Sequence, residues 1–332
     1  MKGSPSLSEA EIPVRPTKIR LETTTYCQLR CPSCPTTTGA INKAVGKGWL
    51  RLADFEKLIT ENPWLKEIEL SNYGEMFLNP ELGGILECAH RHGVELTADN
   101  GVNLNTVDDG MLESLVKFRF KKMRVSIDGA SQETYGIYRR RGNFETVISN
   151  VRRINHFKKH HGSEFPRLAW QFIVYGHNEH ELPRAREMAA ELGMEFAAKL
   201  SWDSGFSPVV DAEFVRREGG LPASTREEFL ENRGEDYMHG LCRQLWEQPQ
   251  VNWDGKLLGC CRNFWGDFGG NVFRDGLMPS LNNEKMNHAR AMLQGHKPAR
   301  ADIPCTTCQI YLTMRGNNRW LEMPEGVAGA SG

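Results

Sequence analysis

Three thiols fall within eight residues of this 332-residue chain: Cys27, Cys31 and Cys34, spaced C-x3-C-x2-C directly after a strand-like run. Three thiolates leave the four-ligand shell of a structural zinc incomplete, and the next histidines, His90 and His92, are far along the chain. Three do suffice to hold three irons of a [4Fe-4S] cluster, whose fourth iron then keeps an open position for another ligand. Four further thiols, Cys242, Cys260, Cys305 and Cys308, follow the spacing C-x17-C-x44-C-x2-C, with Cys261 competing with Cys260 for one position. Four thiolates complete a second cluster or a four-cysteine zinc site, and spacing leaves both open. The ninth cysteine, Cys88, lies in the helical stretch Ile85 to Ala89 and reads as a small buried hydrophobe.

The elements that must position these groups alternate. Strand-like segments at Lys18 to Glu22, Glu67 to Ser71, Val94 to Ala98, Lys122 to Ile127, Leu168 to Tyr175 and Glu195 to Leu200 are separated by five amphipathic stretches. Those stretches run from Leu52 to Glu61, Pro80 to His92, Asp109 to Phe118, Phe144 to Lys159 and Glu181 to Leu192. This is the α/β pattern of a parallel sheet made of βα units, in which chemistry gathers at the C-terminal strand ends. Ser71-Asn-Tyr-Gly-Glu75 and Ser126-Ile-Asp-Gly129 fall at such ends, and Asp99-Asn-Gly101 reads as a turn. From 201 to 240 the pattern breaks into Gly, Pro and charge, which predicts a linker or active-site cover. Beyond it, Val251 to Cys260 reads as a hairpin turning at Asp254-Gly255.

The net charge of −1 offers no basic footprint for nucleic acid. No apolar run reaches the roughly 20 residues that span a bilayer, and Met1 to Pro16 lacks the apolar stretch of a signal peptide. A cytoplasmic location is expected, where nine cysteines are read as metal or redox ligands before disulfides.

The triplet of Cys27, Cys31 and Cys34 resembles the signature of the radical S-adenosylmethionine (SAM) superfamily. The resemblance implies a (β/α)6 partial TIM barrel over 17–200, a linker over 201–240, and flexible ends at 1–16 and 321–332. It further implies that the open iron is chelated by SAM, which is reductively cleaved to a 5'-deoxyadenosyl radical that abstracts a substrate hydrogen. Gly74 and Glu75 resemble the family's Gly-Gly-Glu motif for the methionyl ammonium, with Tyr73 where the first Gly would stand. Ser126 and Asp128 resemble its fourth-strand contact to ribose and methionine. Arg139 is the candidate partner of the methionyl carboxylate, with Arg140 and Arg141 as alternatives. Ser33 departs from the aromatic residue that the family usually carries before the third cysteine, and Ile173, Gly176 and Glu179 resemble a weak fifth-strand pattern.

The spacing of Cys242, Cys260, Cys305 and Cys308, with Gly270-Asn-Val-Phe-Arg-Asp-Gly-Leu277, resembles a SPASM/twitch auxiliary [4Fe-4S] module, here over 241–320. A cluster with no open iron can accept an electron, which favours net oxidation over rearrangement. The resemblance reaches to 2-deoxy-scyllo-inosamine dehydrogenase-like enzymes. It implies oxidation of a carbinol of a small sugar or cyclitol-type substrate, with flavodoxin or ferredoxin as external one-electron reductant. The alternative is a peptide maturase that modifies or cross-links a ribosomally made peptide. That reading expects a leader-binding domain, which the 16 residues before the first strand are too few to form. A non-enzymatic iron-sulfur electron carrier would need neither the open iron nor the SAM motifs. Asp203 and Arg226 are the candidates for substrate contact or deprotonation, beside Trp202.

Overall fold

A computed structural model describes residues 13–322; most of the expected flexible ends, 1–12 and 323–332, lie outside the described residues. Six strands follow one another in parallel order: β1 (Lys18–Leu21), β2 (Glu67–Glu69), β3 (Glu95–Val102), β4 (Lys122–Ser126), β5 (Arg167–Val174) and β6 (Glu195–Leu200). Two short strands, β7 (Gln250–Val251) and β8 (Leu257–Gly259), complete a mostly parallel eight-stranded sheet ordered β6-β5-β4-β3-β2-β1-β7-β8. The expected hairpin therefore exists, and β7 pairs in parallel with the free edge of β1 through Arg20↔Gln250 and Leu21↔Val251.

Residues paired across strands face the same side, and the pairings sort the sheet into two unlike faces. Ile19, Ile68, Leu96, Met123, Leu168 and Trp170 share the face that packs under the helices. Arg20, Glu69, Thr97, Arg124, Ser126, Gln171 and Lys199 fall on the other. That face is polar and internally bonded: Arg20 reaches Gln250 Oε1 at 3.1 Å and Ser71 O at 3.1 Å, and Glu69 Oε2 accepts from Thr97 Oγ1 at 2.8 Å and Asp99 N at 2.7 Å. Such bonding is what a buried charged face requires.

The apolar side forms one core that includes Val251, Leu257, Phe268 and Tyr311 of the C-terminal segment together with Ile19 and Ile68. Cys88 is buried in that core. The helices start at side-chain caps legible in the sequence: Asp108 Oδ1 accepts from Met111 N at 2.8 Å, and Asn143 Oδ1 from Thr146 N at 2.8 Å. No helix among the described residues is long and apolar enough to cross a membrane.

Segment 201–240, expected as a linker or active-site cover, carries two helices, Ala212–Gly219 and Arg226–Arg233. Asp211 and Thr225 cap them, Gly220 and Gly234 close them in left-handed conformation, and the Glu228 carboxylate accepts from Ser224 N at 2.7 Å just ahead of the second. Their few apolar residues hid the helical period. Asp99-Asn-Gly101 is not a turn, because β3 runs through it to Val102 with a register shift against β4. Gly101 is required there, at φ +120°, because a Cβ would lie 2.3 Å from Ser126 Oγ.

Candidate functional site

At the C-terminal ends of β1 to β6 lies a solvent-open cleft of about 700 Å³ lined by Cys27, Cys31 and Cys34 together with Gly74, Glu75, Ser126 and Arg139. The structure thus gathers residues that lie up to 175 positions apart in sequence, from Cys27 to Trp202, around the three thiols. Asn103, Gln171, Ile173 and Trp202 complete the part of the wall that matters below.

The thiol loop and the Gly74–Glu75 loop hold each other. Glu75 N donates to Tyr26 O at 2.8 Å, Thr36 Oγ1 to Tyr73 O at 2.6 Å, and Asn79 Nδ2 to Thr23 O at 3.1 Å. Gly74 is essential to this contact, since a Cβ would stand 2.0 Å from Thr24 O and 2.8 Å from Tyr26 O. Glu75 is buried, accepts from Asn103 N at 2.7 Å, and its carboxyl is pushed up to about 7, chiefly by burial. Burial also pushes the Cys27 thiol up to about 12 and raises Cys31, partly offset by Arg139. Thiols held this way ionise readily only when a metal replaces the proton.

Among the three arginines, Arg139 lines the cleft while Arg140 and Arg141 are exposed. Its Nε donates to Asp128 Oδ2 at 2.6 Å and its Nη1 approaches Cys31 Sγ at 3.8 Å. Asp128 is fully enclosed, and its other oxygen accepts from Ile173 N at 2.8 Å. It therefore faces Arg139 and β5, and Ser126 is the member of that pair that reaches the cleft wall. Gly176 and Glu179 bind the following segment: Gly176 N donates to Ser207 O at 2.8 Å, and Glu179 accepts from Val210 N and Asp211 N, both at 2.9 Å.

Asp203 is not among the residues lining this cleft. Its carboxylate accepts from Ser33 Oγ and from Phe206 N at 3.3 Å, so Ser33 ties the loop between the second and third thiols to the segment that carries Trp202. Arg226 donates to Leu200 O at 3.3 Å and its guanidinium lies 5.2 Å over the Tyr237 ring.

A second void, of about 400 Å³, is lined by Cys242, Cys260, Cys305 and Cys308, with Arg262 and Trp265 among its other walls. Cys261 is absent from this lining, and its amide instead donates to Gln244 Oε1 at 2.8 Å. The Cys260 thiol is pushed up to about 12, with burial first and Cys261 second. Cys308 is the N-cap residue of the helix Gln309–Gly316. The two sites share a wall segment: Asn72 Nδ2 donates to Cys261 O at 3.1 Å and Tyr73 OH to Asn263 O at 2.9 Å. Tyr73, where a glycine was expected, thus reaches across to the second thiol group.

Glu22 escaped sequence reasoning. It follows β1, is buried, and accepts from Tyr73 N at 3.0 Å and Gly74 N at 3.2 Å, while burial pushes its carboxyl up to about 8. A lone glutamate at a strand end is a weak signal; the period-two polar row that continues from Arg20 is the signal that could have found it. Glu22→Ala is expected to lower stability by about 1–3 kcal/mol by leaving buried amides unpaired. Glu22→Gln, which keeps one acceptor, should fall between it and wild type in urea unfolding.

No family model and no curated protein matches the chain by sequence. Solved structures do match. SuiB of Streptococcus suis bound to S-adenosylmethionine superposes with a TM-score of 0.64 at 13% identity, covering 90% of this chain and 72% of SuiB. SuiB bound to its precursor peptide SuiA gives 0.59 at 13%, covering 82% of this chain and 65% of that one. BtrN in complex with AdoMet and 2-DOIA gives 0.51 at 15%, covering 89% and 93%. Native anSMEcpe with bound AdoMet gives 0.57 at 14%, covering 90% and 96%. The structural neighbours of this chain are radical SAM enzymes, and the chain shares their fold.

Proposed function

We propose that this chain is a radical SAM oxidoreductase. The observation that carries the reading is the meeting of Cys27, Cys31 and Cys34 with Gly74, Glu75, Ser126 and Arg139 in one cleft. In this reading β1 to β6 form a (β/α)6 partial barrel, and 241–320 is a twitch-type module. The three thiols hold a [4Fe-4S] cluster, and Cys242, Cys260, Cys305 and Cys308 hold an auxiliary one. With reduced cluster and SAM bound, the pair supplies a carbon radical able to take hydrogen from an unactivated C–H bond.

The chain's own groups bind and orient. Glu75 offers carboxylate oxygen to the methionyl ammonium, and Arg139, held by Asp128, offers its guanidinium to the methionyl carboxylate. Trp202, half-exposed on the cleft wall and anchored through Asp203 to Ser33, supplies an aromatic face where the thiol loop lacks one. The four auxiliary thiols surround a void, a layout that suits a cluster spreading its ligands over several corners better than one zinc ion gathering sulfurs at about 2.3 Å.

The favoured substrate is a small sugar or cyclitol-type carbinol, oxidised to a ketone with one electron passing to the auxiliary cluster. Likeness to BtrN supports it. Likeness to peptide-bound SuiB supports the alternative, modification of a peptide. Anaerobic reconstitution tests the cofactors: about eight iron and eight sulfide per chain are expected, and about four iron with one zinc would reject the auxiliary cluster. A carbinol deuterated at the reacting carbon should transfer deuterium to 5'-deoxyadenosine in equal amount with ketone. Transfer only from a peptide would overturn the carbinol assignment.

A further inference from the structure

Directly below the cleft, the polar face of the sheet ends at Lys199, a cation that no carboxylate meets at ion-pair distance among the described residues. Lys199, on β6, is half-buried and donates from Nζ to Gln171 Oε1, and Gln171 itself lines the cleft. The charged groups acting on it from neighbouring elements are Arg20 of β1, Asp99 of β3, Arg124 of β4 and Arg226 of the helix Arg226–Arg233. The one acid among them, Asp99, is already shared by Arg124 at 3.3 Å and Lys122 at 3.7 Å. Arg20 is paired with Glu69 at 3.8 Å.

Arg226 bonds the backbone oxygen of Leu200, the residue next to Lys199, and its Nε is buried without a partner. Tyr237, Asp236 and Glu227 favour the charge of Arg226, and Arg262, on the wall of the second void, opposes it. Neither Lys199, Arg226 nor Arg262 makes an ion pair among the described residues. Half-buried positive charge with no carboxylate at ion-pair distance, together with an unpaired donor, is a cost that an incoming anion lowers.

We propose that Lys199 and Arg226 form an oxyanion subsite between the SAM cleft and the auxiliary thiols, so that the substrate is a small polyol bearing a phosphate or carboxylate group. The subsite rests on the function proposed above for its meaning, and on these side chains for its existence. The guanidinium offers paired donors to the oxyanion, and the ammonium adds a point charge. The partner's negative end is thereby held on the β6 side, leaving its carbinol end toward Ser126 and the three thiols. The Lys199 ammonium is pulled down to about 8 by burial and then by Arg124, opposed by Asp99. Oxyanion binding requires the protonated form, so affinity should fall as pH rises through about 8.

The test is calorimetric titration of the full, reconstituted chain with sulfate, whose charge is constant over the range, and with acetate. Sulfate affinity is expected to drop about tenfold between pH 7 and pH 9, the protonated fraction at a pKa near 8 falling by that factor. Lys199→Met and Arg226→Gln should each weaken sulfate at least tenfold at pH 7, with Lys199→Arg restoring it and removing the pH dependence. Sulfate binding tighter than acetate assigns a phosphate, and the reverse assigns a carboxylate. Equal weak binding in wild type and both variants, or a flat wild-type pH profile, would overturn the subsite. Wild-type 5'-deoxyadenosine formation on the same preparation tests the functional reading apart: its absence rejects that reading while sulfate binding still decides the subsite.

Discussion

Cys31→Ala is expected to abolish 5'-deoxyadenosine formation, whereas Cys242→Ala is expected to retain it and to lose the oxidised product. The contrast follows from where the two thiols lie. Cys31 is buried on the wall of the cleft, within 3.8 Å of Arg139, beside Glu75 and Ser126. In the function proposed above, its loss leaves two thiolates for three irons. Cys242 lines the second void, in the short turn His239–Arg243, and among the described residues makes no hydrogen bond to the cleft wall. Each variant should drop from about eight to about four iron per chain, and chromatography of 5'-deoxyadenosine under dithionite separates them. If Cys242→Ala also stopped SAM cleavage, the auxiliary thiols would be structural. The bonds from Asn72 and Tyr73 to residues 261 and 263 are the route by which such a collapse would spread.

Gly74→Ala should weaken SAM binding at least tenfold with every cysteine still present. The added carbon meets two backbone carbonyls, Thr24 O and Tyr26 O, and neither can rotate away as a side chain would. Relief requires moving the strand exit that leads into Cys27, or lifting Tyr73 and Gly74 off the Glu22 carboxylate. Overpacking of this kind costs about 1–3 kcal/mol, and it falls on the two loops that must be in register for Glu75 to meet the ligand. Equilibrium dialysis with SAM and thermal unfolding measure the two effects. Wild-type affinity in a variant of lowered stability would detach Gly74 and Glu75 from the SAM site.

Much of the frame was legible in the chain. β6 and the helix Leu52–Glu61 have the expected bounds, and the other five strands differ from expectation by a few residues at their ends. Apolar periods of two and 3.6 are local properties, and the caps at Asp108 and Asn143 mark where one period gives way to the other. Asp203 and Arg226 were candidates for substrate contact on residue type alone. The folded chain commits Asp203 to Ser33 and Phe206, and brings Arg226 beside Lys199, a residue that attracted no attention as one lysine among many.

What spacing determined is the thiol inventory: three in eight residues, then four in C-x17-C-x44-C-x2-C, because residue type and order are properties of the chain itself. Tertiary structure alone decided which arginine enters the cleft, that Asp128 turns inward to hold it, and that Cys260 lines the second void while Cys261 does not. It also decided that β7 extends the sheet at β1 and that Glu22 clasps the Gly74 loop. Those outcomes depend on which strand ends meet across a parallel sheet, and on which side of each strand a residue falls. A contact between residues 22 and 74, or 200 and 226, exists only once the strands are in register.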